Sequence, residues 1–402
     1  MAAGSVAACA LSSVPGVGRA ALERIAAVFG TLEGALSAGA KQIAARSQAG
    51  DLELRPESLA FLARGPDLLA LGLRAVEAAR AVGACIALPG DPLYPPLLRG
   101  IDAPPPLLYV RGSLRADVPR VAVVGSREAS QEGLSFAQKL GEGLACAGVE
   151  IVSGGARGVD AAAHAGALWG QGTTVAVLGC GIDVVYPREN AALFDRITRG
   201  GGAIVSEFPP GAPSARGNFP RRNRTLSGLS SAVVVVRAAS GSGALITATF
   251  AAEQGRPVFA LPGDPEDPLC AGPNGLIETG AARAVSSASA VLRYLGWPVP
   301  ERLDALELAR GPSASATVNR AAAAGHRRPS DAGEEGLPDA APLDEAGARL
   351  WNLLDERRPL HLDELAERGK LRAQDALRSL QELELKGLCV QRPGKYYLRR
   401  LR

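Results

Sequence analysis

The chain has 402 residues, 47% of them apolar, and a formal net charge of +3. At roughly 150 residues per domain this length predicts two or three domains with ample material for buried cores. The small net charge does not by itself argue for a polyanionic partner, because attraction depends on where charge clusters. No run of about 18 apolar residues occurs, and the first residues lack the basic, apolar, small-residue order of a signal peptide, so the expectation is a cytoplasmic protein without a membrane partner. Six cysteines (Cys9, Cys85, Cys146, Cys180, Cys270, Cys389) are scattered without a CxxC pair, and histidine is limited to His164, His326 and His361. This leaves little material for a metal centre, a disulfide framework or the imidazole base of a hydrolytic triad, and neither a metal nor a cofactor is expected. Lysine occurs only at Lys41, Lys139, Lys370, Lys386 and Lys395; the arginine bias fits either bidentate phosphate contact or a GC-rich genome.

Residues 1 to about 88 carry apolar clusters at helical spacing, as in Ala20 to Phe29, and predict a small all-helical module. Within it Leu11 to Gly18 reads LSSVPGVG, a Pro-Gly-Val-Gly turn before a helix. Such a turn either aims backbone N–H groups at a phosphate, as in a helix-hairpin-helix, or simply joins two helices. From Pro89 to Pro119 repeated prolines rule out regular helix and predict an extended connector. Six short apolar runs follow, at Val121–Val124, Ile151–Val152, Thr174–Leu178, Ala203–Val205, Ala232–Val236 and Val258–Leu261, separated by helix-length segments. Buried strands alternating with helices predict an α/β domain built on a doubly wound parallel sheet over residues 89–298. Residues 299–342, rich in Ala, Gly, Ser, Pro and charge, read as a flexible linker. Beyond it, over residues 343–402, leucines at three sets of helical spacings and a tail with a Pro-Gly turn outline a winged helix.

In an open parallel sheet, ligands bind beyond the carboxyl ends of the strands, so the residues after each strand decide function. After the first strand come Gly125, Ser126 and Arg127, a set that suits a phosphate beside a helix N-terminus. Gly155 with Arg157, and Gly241-Ser242-Gly243, open two further helices. These glycines serve either as anion nests or as tight turns. Phe219-Pro220-Arg221-Arg222-Asn223-Arg224 gathers three guanidinium groups and an aromatic ahead of a strand, a combination that fits phosphate tracking and base stacking on a single strand; the alternative is a solvated basic face with Phe219 in the core. A dinucleotide fingerprint GxGxxG and a Walker A sequence are both missing. Asp160 and His164, at i, i+4 spacing, lack a third orienting partner and read as structural.

The ordered series Val121 to Arg127 (VAVVGSR), SGGARGVD (153–160), GCGIDVVYPREN (179–190), SEFPPG (206–211), NFPRRNRTLSGLS (218–230), GSGALITATFAAEQGRPVFALPG (241–263) and NGLIETGA (274–281) strongly resembles the DprA/Smf family over residues 90 to 295. The resemblance implies a Rossmann-like domain flanked by a helical SAM or helix-hairpin-helix-like domain and a winged-helix-like domain. It also implies a homodimer without a catalytic step that binds and shields incoming single-stranded DNA during natural transformation and loads the RecA recombinase. Carried over onto this chain, the phosphate-binding arginine falls on Arg127, the base-stacking aromatic on Phe219, and the RNR segment on Arg222, Asn223 and Arg224, with Arg216 as a nearby basic contact. Two other readings compete. A Rossmann-like phosphoribohydrolase would need PGGxGTxxE, of which Pro262-Gly263-Asp264 is the nearest remnant. A winged helix reading duplex DNA would need a basic recognition helix, whereas residues 372–386 mix Asp375, Glu382 and Glu384 with Arg372, Arg378 and Lys386.

Overall fold

The structure, a computed structural model, describes residues 3–310, 345–354, 360–385, 388–392 and 396–399. It divides into two units, 1–325 and 326–402. The first begins with five helices, α1 (Ala3–Ser12), α2 (Arg19–Phe29), α3 (Leu32–Gln48), α4 (Pro56–Ala63) and α5 (Leu68–Ala81). Their apolar faces meet around Leu11, Leu22, Ile25, Ile43 and Leu62, the periodic positions expected of amphipathic helices. The Pro15-Gly16 turn between α1 and α2 is pinned by Ser58, whose hydroxyl donates to the Pro15 carbonyl over 2.6 Å.

The predicted helical module ends earlier than expected. Residues 84–87 form strand β1 (Ala84–Ala87), which pairs antiparallel with β2 (Leu108–Gly112) in the large sheet. The proline-rich stretch read as a connector therefore supplies the one-turn helix α6 (Pro96–Arg99) and an edge hairpin of the main domain. All six strands read from apolar runs are present: β3 (Arg120–Val124), β4 (Glu150–Ser153), β5 (Thr174–Leu178), β6 (Ala203–Ser206), β7 (Ala232–Val235) and β8 (Val258–Ala260), with a two-residue β9 (Arg283–Ala284) beyond them. The order is β1-β2-β6-β5-β4-β3-β7-β8-β9, with every pair from β6 to β9 parallel. Both faces are covered, by α7 (Gln131–Cys146), α8 (Val159–Trp169), α9 (Ala191–Arg199), α10 (Asn218–Gly228), α11 (Gly243–Glu253), α12 (Ala271–Glu278) and α13 (Ala288–Tyr294). That is why the central strands are continuous Val, Ile and Ala without alternation.

Two layers of apolar side chains flank the sheet, one around Val124, Val177, Val205 and Val233, the other around Val123, Leu140, Ile151 and Phe259. At the amino ends of β3 and β4, register partners Arg120 and Glu150 form a fully buried ion pair of 2.6 Å. The Thr173 hydroxyl donates to the same carboxylate over 2.8 Å, and Arg120 also donates to the Arg115 carbonyl, so neither charge is left bare.

The linker expectation needs correction at its start. Residues 301–310 form helix α14 (Glu301–Arg310), with Leu303 buried in the second apolar layer. Glu307 Oε1 accepts the Ala288 and Ser289 amides at the start of α13, and Arg293 pairs with Asp304 at 2.7 Å. Leu303 and the reaching Glu307 carboxylate anchor this segment. Residues 311–342 of the expected linker lie outside the described residues.

The second unit contains α15 (Glu345–Leu353), α16 (Leu362–Gly369) and α17 (Ala373–Leu385) with a sheet of order β10-β12-β11: β10 (Leu360–His361), β11 (Cys389–Arg392) and β12 (Tyr396–Arg399). Its core gathers Leu350, Leu362, Leu365, Leu380, Leu383 and Tyr397. The Arg399 guanidinium lies 3.9 Å from the Trp351 ring and donates to the Trp351 carbonyl, fastening the last strand to the first helix. This is the winged-helix outline expected from the leucine spacings; its Pro393-Gly394 turn lies outside the described residues.

Candidate nucleic-acid interface

Strand order reverses between β3 and β7, and the loops leaving their carboxyl ends part there, as such sheets require at a ligand crevice. A cleft of about 410 Å³ opens at this point. It is lined from the β3 loop by Gly125, Ser126 and Arg127, from α10 by Phe219, Arg222, Asn223 and Leu226, and from the start of α11 by Ser242 and Gly243. Three loops far apart in sequence thus converge as the strand-end reading expected.

The β3 loop is held from behind. Ser126 N–H donates to the Arg237 carbonyl over 2.5 Å, and Val159 N–H donates to the Ser126 carbonyl over 3.1 Å. Gly158, at φ 76°, makes this approach possible, since a Cβ there would lie 2.3 Å from the Ser126 oxygen. The interlock leaves the exposed Arg127 side chain at the cleft, with no ion-pair partner among the described residues. Neither α8 nor α11 has a side-chain cap at its N-terminus. The buried Ser242 hydroxyl lines the cleft and has no hydrogen-bond partner among the described residues. Uncapped helix N-termini, an idle hydroxyl and an unpaired guanidinium together make a rim whose chemistry suits an anion.

Phe219 is half-buried, with its ring edge against Gly179 and its centroid 5.3 Å from the Arg127 guanidinium and 5.7 Å from that of Arg222. It is not turned into the core. Tyr186, 43% exposed, stands 6.4 Å from it at an angle of 50° and offers a second aromatic surface. Tyr186 belongs to the GCGIDVVYPREN motif, where an aromatic just before Pro187 in the loop following β5 is the sequence signal for it.

Helical phase divides the arginines. Residues 219, 222, 223 and 226 follow i, i+3, i+4, i+7 and face the cleft, whereas Arg221 and Arg224 emerge on the other side of α10. There both pair with the buried Glu207 at 3.6 and 3.7 Å. Of the RNR segment, Arg222 and Asn223 line this cleft and Arg224 does not. Arg222 is buried: Nη1 donates to the Gly154 and Val177 carbonyls over 2.6 and 2.9 Å, and Nε donates to Asn223 Oδ1. Asn223 in turn donates to the Gly243 carbonyl at the start of α11 over 3.0 Å. These two side chains tie strand ends to helices and place a fixed positive charge beneath the cleft floor. Gly154 has to be glycine here, because a Cβ would fall 2.0 Å from Arg222 Nη1.

Arg157, Gly155, Gly241 and Arg216 are not among the residues that line the cleft. Arg157 is exposed and paired with Glu189 at 3.6 Å. Gly155 and Gly241 take positive φ values of 66° and 74° and act as turn residues. Arg216 is exposed in the turn before α10, where its carbonyl accepts the Phe219 amide. Asp160 lines the cleft floor; burial pushes its carboxyl upward, opposed by Arg222 and by the Ala156 amide. His164 is buried with Nδ1 2.7 Å from the Thr174 hydroxyl, and desolvation lowers its pKa to about 3, so it stays neutral. Each of the two is held by an internal contact, Asp160 by the Ala156 amide and His164 by Thr174. Among the described residues no cluster of side chains is arranged to hold a metal, and no helix is long and apolar enough to cross a membrane.

Comparison with known proteins agrees with this geometry. Residues 85–296 match the family model described as DNA recombination-mediator protein A, and residues 334–395 match the DprA winged helix domain. Protein Smf of Synechocystis is 37% identical over 321 residues, 78% of this chain and 79% of its own. Protein Smf of Escherichia coli is 40% identical over 311 residues, 77% and 76% of the two chains. The X-ray structure of DNA processing protein A from Streptococcus pneumoniae superposes with a TM-score of 0.51 at 35% identity, covering 68% of this chain and 95% of that one. With its sheet domain and its tail both matched, and relatives similar along most of its length, this chain belongs to the DprA/Smf family of DNA recombination-mediator proteins.

Proposed function

We propose that the chain binds single-stranded DNA at the cleft between β3 and β7 and acts in DNA recombination as a homodimeric mediator, protecting incoming strands in the cytoplasm and handing them to the RecA recombinase. The carrying observation is the half-buried Phe219 ring set between the Arg127 and Arg222 guanidinium groups at an anion-binding rim. Arg127 serves as the phosphate contact, Gly125, Ser126, Ser242 and Gly243 as backbone and hydroxyl donors, and Phe219 as the stacking platform. Bases in a duplex are already stacked, so this pairing of ring and cation favours an unpaired strand. Association with DNA-processing relatives supports the same reading. A role in binding and not in catalysis is supported by the internal contacts that buried Asp160 and His164 make with the Ala156 amide and the Thr174 hydroxyl.

Replacing Arg127 with alanine tests the rim. Affinity for an oligothymidylate is expected to fall about tenfold, whatever the base sequence, as a charge-assisted contact is lost. The slope of log K against log salt is expected to flatten by about 0.7, the share of one phosphate on a single strand. Thermal melting without DNA should not move. An unchanged affinity and slope would place the site elsewhere. Removing residues 343–402 is expected to leave oligothymidylate affinity within about twofold, because the described charges of α17 mix Asp375 and Glu384 with Arg378; a collapse of affinity would show that the tail holds the strand.

A further inference from the structure

On the far side of α10 lies a second cleft, of about 610 Å³, between the helical module and the sheet domain. Its walls carry five guanidinium groups, from Arg19 and Arg24 on α2, Arg55 before α4, and Arg221 and Arg224 on α10, against the single carboxylate of Glu53. Carboxylates just outside it are already engaged: Glu23 with Arg19 at 2.6 Å, Glu57 with Arg55 at 3.7 Å, and Glu207 with Arg221 and Arg224. Two donors remain idle, since the buried Arg19 Nη1 and Arg224 Nε have no hydrogen-bond partner among the described residues. The Pro15-Gly16-Val17-Gly18 turn forms one end of the cleft, and α2 starts there without a side-chain cap. Gly18, its N-cap residue, has open space where a side chain would stand. No aromatic residue lines this cleft, in contrast to the first.

Idle guanidinium donors and an uncapped helix start call for an anion, and the missing aromatic surface removes any platform for a base. We propose that this cleft is a second phosphate-binding site, which takes the sugar-phosphate backbone of single-stranded DNA beyond the nucleotides seated at Phe219. The two clefts share α10 as their wall, and a helix is only about 10–12 Å across with its side chains. One strand can therefore pass around it and present stacked bases to one face and phosphates to the other. The proposal rests on the single-strand reading of the first cleft, so its test keeps the two apart.

The double variant Arg24→Ala/Arg55→Ala removes two exposed cations remote from Phe219. Binding is measured for oligothymidylates of about five and about fifteen nucleotides, a range spanning one and several backbone contacts, with Phe219→Ala measured alongside and melting curves confirming the fold. The double variant is expected to bind the short strand as the parent does, and the long strand about tenfold or more weakly, with a salt slope lower by about 1.4 for two lost phosphates. Unchanged long-strand affinity and slope in the double variant overturn the second cleft; if Phe219→Ala still weakens both strands, the first cleft stands alone. Equal weakening of short and long strands overturns the idea of a continuing path. Weakening confined to a duplex hairpin overturns the assignment to single strands. A Phe219→Ala variant that binds both strands normally refutes the first site on its own account.

Discussion

An Arg222→Leu variant is expected to melt on the order of 10 °C lower than the parent with no DNA present. The guanidinium donates to the Gly154 and Val177 carbonyls and to Asn223 Oδ1 from a buried position. Leucine fills the space but satisfies none of these oxygens, and it removes the cation that opposes the desolvation of buried Asp160. Removing one partner from a buried charge network costs about 3–5 kcal/mol, more than a surface phosphate contact could. Lysine keeps the charge, yet its ammonium cannot reproduce the planar fork that reaches three oxygens, so Arg222→Lys is expected to recover only part of the loss. Differential scanning calorimetry of the two variants, beside Arg127→Ala, separates the roles. Melting unchanged in Arg222→Leu would mean that the network carries no stability, and the residue would return to the list of direct DNA contacts.

Phe219→Ala is expected to weaken oligothymidylate binding by about 1–3 kcal/mol, roughly fivefold to 150-fold, while leaving the salt slope where it was. Truncation takes away the stacking surface and no charge. It also frees the exposed Arg127 from its position over the ring, an opposing effect of only about 0.5–1 kcal/mol at an exposed site. Phe219→Trp retains a π-face and should keep most of the affinity. Affinity for a blunt duplex is expected to change by less than twofold, because its bases offer no free face. Fluorescence anisotropy across a salt series reads all of this; equal losses on single and double strands would show that the ring shapes the cleft without stacking on a base.

The six central strands were legible because strands covered on both faces are written as uninterrupted Val, Ile and Ala runs. β1 and β2 were not, since Ala84 to Ala87 is only four residues long and the chain between the two strands is crowded with prolines. α14 escaped for another reason: its leucines at 303, 306 and 308 sit among charged residues and lead straight into the Ala, Gly, Ser and Pro stretch that reads as linker. The strand-end logic pointed to Gly125 to Arg127 and Ser242-Gly243, which line the cleft, because the switch point follows from topology. The roles within PRRNR did not follow from composition. Arg221, Arg222 and Arg224 are chemically identical in a sequence, and only the starting point of α10 at Asn218 decides which one turns inward and which two turn away. Tyr186 stands in a motif read from the sequence, but that it would lie near Phe219 follows only from the fold.

Strand β3 is only five residues long, some 16 Å at the usual rise. One end is clamped by the Arg120–Glu150 pair, and the other runs directly into the Gly125 loop. Durability and grip are thus lodged at opposite tips of the same short rod. A lineage or a designer can toughen the lower tip for hotter surroundings without retuning what the upper tip holds.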